Sequence, residues 1–160
     1  MDSESIITLG WREYVALPDL GLPAIRAKLD TGARTSALHA FRLERFRKKG
    51  APWVRFWIHP LRKHREIEHQ AEAEIVDRRV VSDSGGHRQR RLVVVTRVGL
   101  GSDTWPVEVT LTNRDRMLFP MLLGRTAMEG RIMVDPSASY TLGREAGRAF
   151  RTALLNDTMR

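Results

Sequence analysis

A chain of 160 residues with 42% hydrophobic content is long enough to close one core unaided, and the absence of cysteine excludes disulfides, thiolate zinc sites and a cysteine nucleophile. No stretch approaches the ~20 apolar residues that cross a bilayer, and the first residues, with Asp2 and Glu4, lack the pattern of a secretory leader, so the expectation is a cytoplasmic protein without a membrane part. The net charge of +8 attracts polyanions of any kind, nucleic acid or acidic polypeptide alike, and does not choose among them.

Strand signals dominate from the start. Ile25, Ala27 and Leu29 alternate with Ala24, Arg26 and Lys28, the period of a strand with one buried face. A basic run follows at Arg42, Arg45, Arg47, Lys48 and Lys49, then the turn Gly50-Ala51-Pro52. Val54, Phe56 and Ile58 resume the alternation until Pro60 ends it, and Arg62, Lys63 and Arg65 form a second basic run. The segment Ser82-Asp83-Ser84-Gly85-Gly86 has the composition of a long hairpin tip, with Arg88, Arg90 and Arg91 just beyond it. Leu92 to Val98 is β-branched, Gly99 to Asp103 is a turn, and Val107, Val109 and Leu111 alternate again. Met117 to Leu123 is almost wholly apolar and predicts an interior strand covered on both faces. Helix is expected only after Gly124, as a short piece, and in a basic tail from about Arg144 to Leu155. The pattern predicts an all-β barrel or sandwich in one domain, 1–160. Its core covers about 6–143, with an elaborated loop and hairpin region over about 41–91 and a basic tail over 144–160.

Chemistry concentrates where the first alternating strand ends, at Asp30-Thr31-Gly32-Ala33. A carboxylate at the end of a rigid apolar strand is held still, and a glycine beside it allows a sharp turn. Much later the apolar Met121-Leu122-Leu123 runs into Gly124-Arg125 and the short helix Thr126-Ala127-Met128. An apolar strand ending in D-T-G-A, a hairpin flap, then an apolar strand with Gly-Arg and a short helix is the order of the retropepsins, and this chain resembles it. The resemblance places the flap tip at Gly85 and Gly86.

A longer resemblance covers most of the chain. Gly10-Trp11-Arg12-Glu13, the run from Ala27 to Ala40, Leu111-Thr112-Asn113-Arg114 and Met121-Leu122-Leu123-Gly124-Arg125 are similar to a bacterial family once labelled ATP-dependent zinc proteases. That family, now read as retropepsin-like and RimB-like, is linked to the ribosomal-protein glutamate ligase RimK. The resemblance implies a retropepsin-like barrel, an aspartic peptidase without metal or cofactor, and Asp30 as the catalytic residue. One chain offers one D-T-G, whereas this chemistry needs two carboxylates sharing a proton, so the implied enzyme is a homodimer. Thr31 would bond across the dimer axis, Gly32 would meet the substrate backbone, and Ala33 completes the active-site loop. Gly124 and Arg125 would support it. Glutamate-tailed ribosomal protein is the implied substrate.

Two departures from the retropepsin pattern stand out. The position after D-T-G-A is usually acidic and pairs with the arginine of Gly-Arg, but here it is Arg34. Arg125 therefore needs another partner, for which Asp135 and Glu129 are candidates, and Arg34 is free to hold a substrate carboxylate through two parallel hydrogen bonds. His59, His64 and His69 recur every five positions, a spacing that suits neither one helix face nor one strand face, and no H-E-x-x-H is present. A zinc protease is thus a lesser alternative. A non-enzymatic nucleic-acid or peptide-binding module remains open, motivated by the charge and by Trp53, Trp57 and Trp105. Also open is whether Ile6 to Leu9 or Ser139 to Leu142 supplies an interleaved dimer end.

Overall fold

A computed structural model of the chain describes residues 5–82, 85–113 and 118–158. Asp2, Glu4, Asp83, Ser84, Arg114 and Met117 lie outside them. The described residues form eleven strands and two α-helices, so the all-β expectation holds. In chain order the strands are β1 (Ile7–Gly10), β2 (Arg12–Leu17), β3 (Leu22–Leu29), β4 (Ser36–His39), β5 (Arg42–Lys48) and β6 (Ala51–Ile58). They continue as β7 (His69–Ser82), β8 (Arg88–Leu100), β9 (Asp103–Thr112), β10 (Met121–Leu123) and β11 (Ile132–Asp135). Helix α1 (Arg125–Met128) follows β10, and α2 (Glu145–Thr158) ends the chain. Among the described residues no helix is long and apolar enough to cross a membrane.

Nine strands form one sheet in the order β2-β3-β10-β4-β9-β8-β7-β6-β5. Because Ala16 of β2 also pairs with Gly99 of β8, the first six strands of that order return on themselves. The alternation seen in the sequence explains why: β2, β6 and much of β8 and β9 bury every second residue, and a ring encloses that apolar face. Val15, Leu17, Ile25, Leu38, Phe56 and Val98 are at most 1% exposed at its centre, and each such side chain contributes roughly 1.5–3 kcal/mol through its removal from water.

Two segments differ from the sequence pattern. The region over 41–91 is mostly regular strand: β5 and β6 form a hairpin that pairs with β7 and prolongs the main sheet. Its regularity is hard to read because β5 is an edge strand, exposed on nearly every residue, so no buried face imposes alternation. Its charges pair along the surface instead, as in Arg42 with Glu44 at 2.8 Å. The apolar run before Gly124 yields only the three-residue strand β10. Pro120 lacks the N–H that a central ladder requires, and Leu118 is 58% exposed. The aromatics also divide. Trp105 is buried and its Nε1–H donates to the Ala127 carbonyl at 3.1 Å, so it belongs to the core. Half-buried Trp53 and Trp57 are capped by Lys48 and Arg42 at 4.5 and 4.3 Å from the ring centroids.

The two segments considered as dimer ends make contacts within the same chain. β1 pairs in parallel with β11, and the segment 138–142 runs beside β2, where Trp11 N–H donates to the Ala138 carbonyl and Tyr140 N–H to the Arg12 carbonyl, both at 3.0 Å. Glu13 fastens this segment. Fully buried, its Oε2 accepts from Gly10 N–H at 2.7 Å, Thr141 N–H at 3.0 Å and Thr141 Oγ1 at 2.6 Å. Replacing Glu13 by Ala strands several of these donors, and the expected loss is about 3 kcal/mol in urea unfolding. Glu13→Gln, which keeps one acceptor, is expected to lose less.

Candidate active site

Asp30 follows β3, whose last residue Leu29 is buried. Its N–H donates to the Leu123 carbonyl of β10 at 2.9 Å, so a buried strand sets its height. The carboxylate is fixed in turn: Oδ1 accepts from Gly32 N–H at 2.9 Å. A side chain at Gly32 would begin only 3.2 Å from that oxygen, tighter than ordinary packing, so glycine lets the loop fold over the carboxylate.

The loop 30–34 is then clamped from the other side. Arg125 N–H donates to the Ala33 carbonyl at 2.7 Å and Thr126 N–H to the Arg34 carbonyl at 3.0 Å. Thr126 Oγ1 donates to the same Arg34 carbonyl at 2.9 Å, and Arg125 Nη1 to the Thr31 carbonyl at 3.1 Å. Of the partners considered for Arg125, Glu129 stands at 3.9 Å, whereas Asp135 accepts from Ser137 N–H and Oγ. The main anchor of Arg125 is thus the D-T-G loop of its own chain. Gly124 makes the clamp possible, because a Cβ there would lie 2.6 Å from the carbonyl carbon of Thr35. Its N–H donates to Ser36 Oγ at 2.9 Å.

Asp30, Gly32, Ala33, Arg34 and Arg125 border one cleft of about 990 Å³. Across it stand Val80, Val81 and Ser82 at the end of β7, with Glu108 and Thr112 of β9 in the wall. The β7–β8 hairpin therefore borders the cleft, while Gly85 and Gly86, with Gly86 at φ 83°, sit at its tip beyond the lining strand end. Thr31 is exposed at the head of its loop.

Four guanidinium groups line the cleft: Arg34, Arg79, Arg91 and Arg125. Arg34 is exposed and makes no ion pair with a described carboxylate. Arg79 grips Glu108 through two parallel bonds of 2.7 and 3.0 Å and Asp77 through Nε at 2.8 Å. The hydrogen bonds from Arg79 hold the Glu108 carboxyl below the usual glutamate range, with a further contribution from the charge of Arg34. Arg91 is buried; its Nη1 donates to Thr110 Oγ1 at 3.2 Å and its Nε to Gln89 Oε1 at 3.0 Å. Thr110 Oγ1 donates in turn to the Ser36 carbonyl at 3.2 Å. These polar residues went unnoticed in the sequence, where Arg91 reads as one more member of a basic run. The available signal was parity: Arg91 shares its strand face with the buried Val93.

Comparison with known proteins shows the family. The family model of the RimB-like proteins, described as "Retropepsin-like aspartic endopeptidase RimB", matches residues 8–145. The chain belongs to this family. Among curated relatives it is 45% identical over 141 residues to a probable alpha-L-glutamate ligase of Shewanella pealeana, covering 88% of this chain and 31% of that protein. It is 45% identical over 137 residues to one of Parasynechococcus marenigrum, covering 86% of this chain and 29% of that protein. The chain thus spans less than a third of these longer relatives. A crystal structure of Lpg0085 from Legionella pneumophila, a protein described as of unknown function, superposes with a TM-score of 0.70 at 35% identity, covering 86% of this chain and 98% of that one.

The histidines considered for zinc have separate surroundings in this RimB-like chain. His59 stacks on Phe41 at 4.1 Å, His64 Nδ1 lies 3.6 Å from Glu66, and His69 Nε2 lies 2.7 Å from the Leu20 carbonyl. Among the described residues no three metal-ligating side chains converge.

The depressed Glu108 carboxyl makes the Arg79 pair a feature of neutral and mildly acidic solution. A carboxylate whose folded value is lowered contributes above its unfolded value, and the contribution fades as pH falls through the folded value. Carbon-detected NMR of the Glu108 carboxyl should give a midpoint below 4.5, the value of an unperturbed glutamate, and Arg79→Gln should move it upward.

Proposed function

We propose that the chain is an aspartic peptidase that hydrolyses peptide bonds with Asp30 from each of two identical copies, acting on acidic polypeptide such as a glutamate-tailed protein. The observation that carries this reading is a fixed Asp30 carboxylate in a cleft lined by four arginines. In the mechanism, the ionised carboxylate of the pair takes a proton from water as its oxygen attacks the scissile carbonyl carbon, and the protonated one gives its proton to the carbonyl oxygen. The tetrahedral diol then collapses: the C–N bond breaks, the nitrogen gains a proton, and an acid and an amine leave. These steps call for no cofactor.

Several features support the reading. Gly32 is exposed in the cleft, where its lack of a side chain leaves room for a substrate backbone, and Arg34 is available to a substrate carboxylate. Ile6, Ile7 and Met133, on or beside the β1–β11 pair, are 52%, 37% and 61% exposed, an apolar face that a second copy would cover. The relatives named as glutamate ligases favour a substrate that such a ligase makes, and with it a functional link to RimK. A ribosomal substrate would put the activity in the cytoplasm.

Cleavage of glutamate-tailed and plain peptides, followed by mass spectrometry, tests the proposal. Asp30→Asn should lower kcat by about 10²–10⁴-fold and a chelator should leave it unchanged. Persistent cleavage by Asp30→Asn, or a strictly monomeric active enzyme in sedimentation, would overturn the paired-carboxylate mechanism. Steeply salt-dependent RNA binding without cleavage would point to the binding-module alternative instead. Arg34→Ala should raise KM for glutamate-rich peptides about ten-fold with little effect on neutral ones; equal effects on both would remove Arg34 from substrate binding.

A further inference from the structure

We infer that Arg79 and Glu108 form a carboxylate subsite of the cleft that the chain occupies with its own side chain, so that an acidic substrate must displace Glu108 to use it. The inference rests on the peptidase reading for the direction of substrate through the cleft, and not for the binding it predicts.

The geometry is that of a bound ligand. Arg79 presents its Nη1 and Nη2 edge to both oxygens of Glu108, at 2.7 and 3.0 Å, which is how a guanidinium takes a carboxylate from another molecule. The two residues come from different strands, β7 and β9, separated in the sheet by β8. Both border the cleft that holds Asp30, and their side chains are 36% and 46% exposed. The pair stays open to water, so an incoming carboxylate can reach Arg79, but it competes with a Glu108 that the fold holds in place and that binds through a fork. Asp77 holds the third nitrogen of Arg79 at 2.8 Å, which keeps the guanidinium aimed while its other edge changes partner.

Arg34 turns the exchange into a selectivity device. Its exposed guanidinium has no carboxylate of its own among the described residues, yet it lies close enough to act on the charge of Glu108. A single substrate carboxylate finds Arg34 without competition. A second must evict Glu108 from Arg79. Chains bearing successive carboxylates therefore gain the second site once the first tethers them, because tethering raises their local concentration, whereas an isolated acid does not.

Direct binding of fluorescent tetraglutamate and tetraglutamine peptides to the full chain carrying Asp30→Asn tests this without turnover. Glu108→Gln is expected to tighten tetraglutamate binding about ten-fold and to leave tetraglutamine unaffected. In an Arg79→Gln background the same change should gain less than about two-fold, because the two residues act as a unit. Arg79→Lys, which keeps the charge without the fork, replaces Arg79→Gln should that variant not fold. Glu66→Gln, remote from the cleft lining, measures the effect of net charge alone. An unchanged affinity in Glu108→Gln, an equal gain with and without Arg79, or an equal gain from Glu66→Gln would overturn the subsite. Cleavage that survives Asp30→Asn would instead overturn the paired-Asp30 mechanism and leave the binding result standing.

Discussion

The arrangement of this chain depends on one close passage of backbone past backbone, where Gly124 lies against Thr35 and Ser36. β10 is only three residues long, yet it is the hinge of the topology, parallel to β3 on one side and antiparallel to β4 on the other. Leu123 stands opposite Leu29 in register, so the end of β3 and the loop beyond it take their position from β10. A side chain at residue 124 would force the two segments apart, and interiors packed to crystal-like density do not yield that distance cheaply. The four hydrogen bonds from Arg125 and Thr126 to the carbonyls of Thr31, Ala33 and Arg34 are possible only because that passage is so close. Local precision at Asp30 is therefore bought far away in sequence, by a glycine and a helix of one turn.

Electrostatics adds a second layer that the fold alone does not dictate. Most ion pairs here lie on the open surface, such as Arg97 with Asp19 at 2.6 Å and Arg55 with Glu72 at 2.8 Å, and pairs of that kind contribute little to stability. The cleft differs because four cationic groups share a concave surface with two carboxylates, Asp30 and Glu108. A concave surface focuses the field of the charges that line it. Part of the positive charge of the chain thus lies next to the D-T-G loop.

Legibility in the sequence follows how local each cause is. The strands β3, β6 and β9 show their alternation because each has one buried face, and the motif around Asp30 and the Gly124-Arg125 pair are contiguous and rare enough to identify the RimB-like family. β5 was hidden because an edge strand answers to no core. The apolar character from Leu118 to Pro120 suggested more strand than exists, since hydrophobicity records burial or contact and not the hydrogen-bond capacity that proline removes. The polar residues of the site escaped for a different reason: Arg79 meets Glu108 across 29 positions of sequence and Arg91 meets Thr110 across 19. Such pairings exist only once the register of β7, β8 and β9 is known. Glu13 is the extreme case: it stands in a block that carries the family resemblance, yet its partners Thr141 and Leu142 lie more than 120 residues on.

The segments flanking β1, β2 and β11 depend on one another in the same way. Residues 10–13 and 138–142 are joined by two backbone bonds and by the Glu13 side chain, and β1 pairs with β11. Helix α2 lies almost entirely beyond the family-matched segment, which ends at residue 145, and packs through Gly147 against the ring of Tyr14, itself stacked on Tyr140 at 5.2 Å. Glycine at 147 is what lets the helix approach so closely. Because Tyr140 sits in the segment that Glu13 anchors, the helix reinforces a closure already made by hydrogen bonds, on the outer side of β2 and β3. The cleft that holds Asp30 is bordered by other residues, none of them from α2.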